Sequence, residues 1–391
     1  MSKKLIIVVF IIFLSCPTLS WPLIKNYVDS ENHEKRTYTE FPRPGQVSLE
    51  DFPGQIEQYF MDRIPYKNQI KRLSSMWDIK KTKGLPFGIN DSALFQYTVN
   101  LPNVIIGVED WMFYMPRADG EDSVSDYFGT NLYNDDELEM LAQKYSAVQE
   151  YFRNNDQEFV LMVIPGKEHV YSEYMPQDIQ FAGTQPKRVE EAVQYLKEHT
   201  DVNIVYLQQA FEKQKNNSTL YYKYDSHWNI LGAHLGVQEL NKSLKNSNTK
   251  DLGNLTITSS KRSGGDLVNL IGGLHDYNDD TEYSIIYPDD FQYKQIETDG
   301  NDTYYRFRSN SEDSRKILLL GDSFRSAMLN VLPVYYKETI ITSDTDKAKQ
   351  ILNSEDVDIV VLEITERYSK RFENQAYELI SDLKASNTQT K

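Results

Sequence analysis

The 391-residue chain is 40% hydrophobic and 12% aromatic, enough apolar material for a large core, which excludes wholesale disorder. A formal net charge of −16 and a pI near 4.9, with no Lys/Arg stripe, exclude nucleic acid as a partner. The one cysteine, Cys16, falls in an N-terminal apolar segment, so the chain beyond it has neither a disulfide nor a cysteine nucleophile.

That segment reads as a secretion signal. Lys3 and Lys4 precede the apolar run Leu5–Leu14, and small polar residues follow from Ser15 to Ser20. Left uncleaved, Leu5–Ile24 is 20 residues, long enough to span a bilayer, so both a signal peptide and a membrane anchor stay open. The expected layout is a signal or anchor over 1–24, a polar linker over 25–50 and one extracytoplasmic α/β domain over 51–390.

In chain order, Phe52–Lys83 alternates apolar and charged residues at helical spacing with a break at Pro65, which predicts a collar of two helices. Ile105–Tyr114 predicts a hairpin turning at Glu109-Asp110. From Asp135 helices and strands alternate: helix Asp135–Asn155, buried strand Glu158–Ile164, helix Lys187–Thr200, strand Asn203–Leu207 and helix Asn229–Lys245. Gly253–Ser314, rich in Gly, Asp and Tyr, predicts a β-rich excursion over the top of the sheet. Strand Ile317–Leu320, helix Phe324–Leu332, strand Thr339–Ile341, helix Asp346–Leu352, strand Val357–Leu362 and helix Arg371–Lys384 complete the chain. This alternation predicts an α/β fold with a mostly parallel sheet and helices on both faces.

Ile317–Leu320 runs into Gly321-Asp322-Ser323 and then a helical stretch. A strand-to-helix turn at the carboxyl edge of a sheet is where open α/β folds present a nucleophile. Gly321 permits the sharp turn, and the N–H groups after it can meet a developing anion. The same tripeptide also reads as an ordinary helix cap, because Asp and Ser favour that position.

A serine nucleophile needs a base. Of the six histidines (His33, His169, His199, His227, His234 and His275) none follows Ser323, so the base has to come from upstream. His227 is the best placed, with Asp225 two residues before it and Trp228 beside it. In an extended stretch residues two apart point the same way, so Asp225 can fix the tautomer of His227. The competing reading makes Asp225 and Asn229 helix caps and His227 a polar rim residue. His169 and His275 fall in loops that can border the site. Asp225, His227 and His234 can offer metal ligands, but no H-x-x-x-H, H-E-x-x-H or cysteine cluster accompanies them, and no metal is expected.

Asp225-Ser226-His227-Trp228 followed by Gly321-Asp322-Ser323-Phe324 resembles the SGNH-like alginate O-acetyltransferase family, including the secreted DHHW-motif proteins of bacterial polysaccharide clusters. Further blocks are similar and occur in the same order: Asp62-Arg63-Ile64-Pro65-Tyr66, Gly107–Tyr114 (GVEDWMFY), Ile164-Pro165-Gly166-Lys167-Glu168, Gly265-Asp266-Leu267 and Glu363–Tyr368 (EITERY). The resemblance runs from about residue 50 to 385.

It implies an SGNH-hydrolase-like three-layer fold in which Asp225 orients His227, His227 is the base and Ser323 the nucleophile. It also implies O-acetylation of a bacterial cell-surface or exported polysaccharide through an acetyl-serine, beside a multispanning membrane O-acyltransferase. No cofactor is expected, since a donor or partner protein delivers the acetyl group. Gly166 and Lys167 are candidates for the oxyanion hole or for substrate contact, with an ordinary strand terminus as the alternative. Tyr171, Arg325, Arg367 and Tyr368 are candidate edge contacts. Two other functions stay open: a carbohydrate acetylesterase with the same triad, and a non-catalytic polymer-binding or scaffold subunit of an export complex.

Overall fold

The computed structural model describes residues 39–43, 47–48, 51–63, 103–116, 122–177, 179–273, 277–289 and 291–388. The chain divides into two compact units, Met1–Pro86 with Val268–Asp276, and Phe87–Leu267 with Tyr277–Lys391. In the first, α1 (Phe52–Asp62) has a proline in its opening turn, where the missing N–H costs no intrahelical bond. Its last residue, Asp62, is buried and accepts from the backbone of Thr39 at 2.7 Å and from Gln58 at 2.8 Å. The second collar helix expected after Pro65, and positions His33 and His275, lie outside the described residues. No helix among the described residues is long and apolar enough to cross a membrane, and Leu5–Ile24 is not among them.

The second unit opens with the expected hairpin, β1 (Val104–Ile106) against β2 (Met112–Tyr114). Glu109 and Asp110 take positive φ at its turn. Then follow α2 (Ser123–Phe128), α3 (Asp135–Asn154), β3 (Glu158–Ile164), α4 (Lys167–Val170), α5 (Arg188–His199), β4 (Asn203–Tyr206), α6 (Gln208–Gln214) and α7 (Ile230–Ser243). β5 (Thr256–Arg262), α8 (Asp266–Leu270, of which 268–270 belong to the first unit), β6 (Asp280–Ile286), β7 (Tyr293–Thr298) and β8 (Tyr304–Ser309) occupy the excursion. β9 (Lys316–Gly321), α9 (Arg325–Met328), β10 (Glu338–Thr342), α10 (Thr345–Ser354), β11 (Ile359–Thr365) and α11 (Ser369–Thr388) close the chain.

Seven strands form the central sheet in the order β4-β3-β11-β9-β10-β8-β7. β4, β3, β11, β9 and β10 run parallel, and β8 and β7 add antiparallel at one end. The inner strands read as unbroken apolar runs because both of their faces are covered. One face packs Phe159, Leu161, Val163, Leu318, Leu320, Val360 and Leu362 against the apolar stripes of α3, α5, α10 and α11. On the other face α7 brings Gly236 against Met162 of β3. Helix–sheet–helix layering follows, with the carboxyl ends of β3, β9 and β11 side by side.

Helix starts follow local capping chemistry. Asn134 closes a capping box with Glu137 ahead of α3, and Asp344 accepts from the backbone of Asp346 and Lys347 ahead of α10.

Three expectations shift. The excursion is only half separate: β5 and β6 make a two-stranded sheet of their own, whereas β7 and β8 extend the central sheet. β8 pairs with β10 from Tyr304↔Thr342 to Arg308↔Glu338, and Arg306 bonds Glu338 at 2.7 Å and Glu355 at 2.9 Å. Such pairing is long-range and leaves no local signature in the sequence. The helix after Ser323 is a single turn, α9, preceded by i→i+3 bonds such as Arg325 N–H to Asp322 O at 3.3 Å. Finally, β11 runs three residues past Leu362, carrying Glu363 and Thr365 into the ladder opposite Met162 and Ile164.

Candidate active site

The segment before α7 is a tight loop rather than an extended strand. Tyr221 and Trp228 face each other as an isolated bridge, and the N–H of Tyr222 donates to the carbonyl of His227 at 3.2 Å. Asn229 caps α7 through Leu231 and Gly232, as one sequence reading had it, but Asp225 does not cap. Asp225 Oδ1 accepts both the backbone N–H of His227 at 3.1 Å and its ring Nδ1–H at 2.7 Å. A backbone turn, not strand alternation, therefore sets the pair.

The second oxygen of Asp225 accepts from Arg262 at 3.0 Å and from the backbone N–H of Asp266 at 3.1 Å. Burial pushes Asp225 up, but the hydrogen bonds and charges of His227 and Arg262 outweigh it and hold the carboxyl well below its usual range. Because a carboxylate only accepts, the proton of the ring sits on Nδ1 and the lone pair on Nε2 faces outward. Asp266 braces the turn by accepting from Ser226 N–H at 2.7 Å and Ser226 Oγ–H at 2.6 Å. Gly265 makes this approach possible, since a Cβ there would lie 2.2 Å from the carbonyl oxygen of Tyr224.

Ser323 stands where β9 ends. Its Oγ lies 2.8 Å from His227 Nε2, so Asp225, His227 and Ser323 form one hydrogen-bonded row. Asp322 shapes the turn: its side chain accepts from Phe324 N–H and from Thr365 N–H, both at 2.8 Å. Glu363 lies fully buried beneath it and accepts Asp322 N–H at 3.0 Å. Burial, with Asp322 nearby, pushes Glu363 well above the ordinary carboxyl range. Among the described residues the backbone N–H of Ser323 has no hydrogen-bond partner.

A cavity of about 680 Å³ opens in front of Ser323 and His227, walled by Tyr222, Arg262, Glu282, Tyr283, Tyr287 and Tyr293. Most of these wall residues come from the excursion, whose Tyr- and Asp-rich composition was visible but whose individual roles were not. Arg262 had no motif to announce it. Asp266 stood inside the Gly265-Asp266-Leu267 block and was the one signal for a brace.

The remaining candidate residues do not line the cavity. Gly166 N–H donates to Glu366 at 2.6 Å. Lys167 is buried and donates to the carbonyls of Met112, Lys223 and Asp225 at 2.6, 2.9 and 3.1 Å. Both are committed inside the fold rather than offered to an oxyanion or a substrate. Arg325 donates to the carbonyls of Asp322, at 2.9 Å, and Asp302. Arg367 is buried over the rings of Tyr114 and Phe324, 5.2 and 5.1 Å from their centroids, and Tyr368 packs on the helical core. Tyr171 is buried, its hydroxyl accepting from Leu220 N–H at 2.9 Å.

Two other histidines are held by partners and do not line the cavity, although His169 Nε2 is buried without a hydrogen-bond partner among the described residues. His169 pairs with Glu366 at 2.6 Å, and His234 bonds Lys250 O at 2.9 Å and Tyr287 OH at 3.1 Å. Asp225, His227 and Asp266 are close enough to suggest a cation site. Their oxygens, however, already accept from Arg262, Ser226 and backbone N–H groups, and a cation would have to displace the guanidinium.

A family model described as the SGNH hydrolase-like domain of the acetyltransferase AlgX matches residues 104–331. No curated protein matches the chain. Among solved structures, Bacillus cereus PatB1 superposes with a TM-score of 0.52 at 18% identity, covering 70% of this chain and 99% of that one. The same protein bearing a sulfonyl adduct gives a TM-score of 0.52 at 17% identity, covering 71% of this chain and 99% of the other. A DHHW family protein from Eubacterium siraeum gives 0.48 at 15% identity, covering 72% of this chain and 98% of its own. The PatB1 likeness shows the fold; the family match spans more than half of the sequence, from β1 to just past α9, and takes in Asp225, His227 and Ser323. On that match the chain belongs to the family of SGNH hydrolase-like domains typified by the acetyltransferase AlgX.

Proposed function

We propose that this chain is an extracytoplasmic serine O-acetyltransferase that acetylates hydroxyls of a cell-surface or exported polysaccharide. The observation that carries the reading is the Asp225–His227–Ser323 row, with spacings of 2.7 and 2.8 Å, opening on a cavity of about 680 Å³. The family match supports the acyl chemistry, and the Lys3-Lys4 and Leu5–Leu14 pattern supports export.

In the first step His227 Nε2 takes the proton of Ser323 as Oγ attacks the carbonyl carbon of an acetyl donor. The free N–H of Ser323 faces the developing oxyanion, and His227 passes its proton to the departing donor oxygen. In the second step a sugar hydroxyl loses its proton to His227 and attacks the acetyl-serine carbonyl. The Ser323 ester bond breaks, and Oγ leaves with that proton. Asp225 stays ionised throughout and steadies the imidazolium. No step needs a cofactor, and a multispanning membrane O-acyltransferase is the partner that would supply acetyl groups outside the cell.

The test is intact-mass spectrometry of the protein with p-nitrophenyl acetate, and separately with a sulfonyl fluoride. An acetyl adduct mapped to Ser323, absent in Ser323→Ala, is the expected result. Wild type, Ser323→Ala and His227→Ala all equally inert would overturn it. Acceptor-dependent loss of the acetyl group marks a transferase, and equally fast loss to water marks an esterase.

A further inference from the structure

We infer that the acceptor taken by this cavity is an uncharged glycan, not a polyuronate and not a polymer of cationic, unacetylated amino sugars. The inference rests on the reading of the cavity as an acetyl-transfer site.

The charge of the wall carries it. Arg262 is the one Lys or Arg among the described residues that line the cavity, and its charge is already committed. It lies 3.0 Å from Asp225, 3.8 Å from Asp280 and 3.3 Å from Glu282, with its guanidinium 3.9 Å from the centre of the Tyr222 ring. Asp266 adds a further carboxylate 3.4 Å from His227. Three carboxylates thus surround one guanidinium, a fourth lies beside His227, and the chain as a whole carries −16. A uronate polymer would bring a carboxylate with every sugar into a site that holds no spare cation, where like charges penalise entry.

The carboxylates are no better placed to hold a cationic sugar. Asp225 accepts from His227, Arg262 and backbone N–H groups, Asp280 accepts from Tyr224 N–H at 3.1 Å, and Glu282 accepts from Tyr222 OH at 2.5 Å. What the cavity does present is half-buried tyrosine surface, from Tyr283, Tyr287 and Tyr293, and the uncharged polar side chains of Ser284, Ser326 and Asn330. Tyrosine offers an apolar ring face with a polar tip. That combination fits the C–H face and the hydroxyl edge of a neutral pyranose.

The test uses the full chain carrying Ser323→Ala, which keeps the cavity and cannot be acetylated at that position. Saturation-transfer NMR at low salt compares pentamers of N-acetylglucosamine, mannuronate and glucosamine. The N-acetylglucosamine pentamer is expected to bind, with the mannuronate pentamer at least about tenfold weaker and the gap narrowing as salt rises. Glu282→Gln, added to the same chain, is expected to raise the mannuronate-to-N-acetylglucosamine affinity ratio about fivefold. Equal or tighter binding of mannuronate, tighter binding of glucosamine, or binding of none of the three overturns the inference. A wild-type chain that forms no acetyl-serine overturns the transferase reading instead, and the ranking of the three pentamers is read independently of it.

Discussion

The indole N–H of Trp228 donates to the backbone carbonyl of Phe324 at 2.8 Å, binding the residue after the histidine to the residue after the serine across 96 positions of sequence. The Phe324 ring also lies 4.9 Å from the imidazole of His227 and 5.7 Å from the Trp228 ring. This bond fixes the spacing between His227 Nε2 and Ser323 Oγ. Trp228→Phe keeps the buried ring and removes the donor. Its acetyl-ester turnover is expected to fall about tenfold, with a stability loss of about 1–2 kcal/mol by urea denaturation. Unchanged turnover would show that the row holds its spacing without the indole.

Asp225→Asn is the sharper probe of the row. An amide can donate to Nδ1 and so favours the tautomer with its proton on Nε2, facing Ser323. The kcat/KM for p-nitrophenyl acetate is expected to drop about 10⁴-fold. Arg262→Met should cost less, about tenfold, because Asp266 N–H still holds the far oxygen of Asp225.

Lys167→Met separates an internal brace from a substrate contact. The ammonium serves three carbonyls, one of them that of Asp225, and the substitution strips a donor from each. A stability loss of about 3 kcal/mol is expected, with KM for the ester unchanged in the folded fraction. A raised KM at wild-type stability would return Lys167 to the substrate side.

Glu363 makes stability depend on pH in an unusual direction. Its folded-state pKa lies well above the ordinary 4.5, so above that pH the unfolded chain ionises while the native chain keeps its proton. The unfolded state then binds fewer protons, and stability falls as pH rises, by up to about 1.4 kcal/mol per pH unit. Glu363→Gln removes this dependence. Denaturation at pH 5 and pH 8 should show a smaller drop for the variant than for wild type, and parallel drops would mean that Glu363 is ionised in the fold.

The inner strands β3 and β9 were legible because a strand covered on both faces must be apolar along its whole length. β11 was legible only to Leu362, because a glutamate ordinarily ends a buried run; Glu363 continues it with burial shifting its carboxyl toward the neutral form. The capped helices were readable from their polar starts, and Asp225, His227 and Ser323 from motif and spacing. What escaped was whatever depends on distant partners. Glu366 claims the N–H of Gly166, three carbonyls claim Lys167, and β10 draws β8 into the sheet. No local pattern encodes such claims. Arg262 lies in a plain polar strand, and only its meeting with Asp225 gives it meaning.

The strand order has a consequence for how the protein is made. β11, last in the chain, sits between β3 and β9, and among the described residues no ladder joins β3 directly to β9. Asp225 and His227 follow the β3–β4 side and Ser323 ends β9, so the two halves share a sheet only once residues 359–365 have been laid between them. A nascent chain still short of that strand could bring its histidine and serine together through the Trp228–Phe324 bond, but without a continuous sheet beneath them. Completion of the sheet that backs the Asp225–His227–Ser323 row is therefore timed to the end of synthesis.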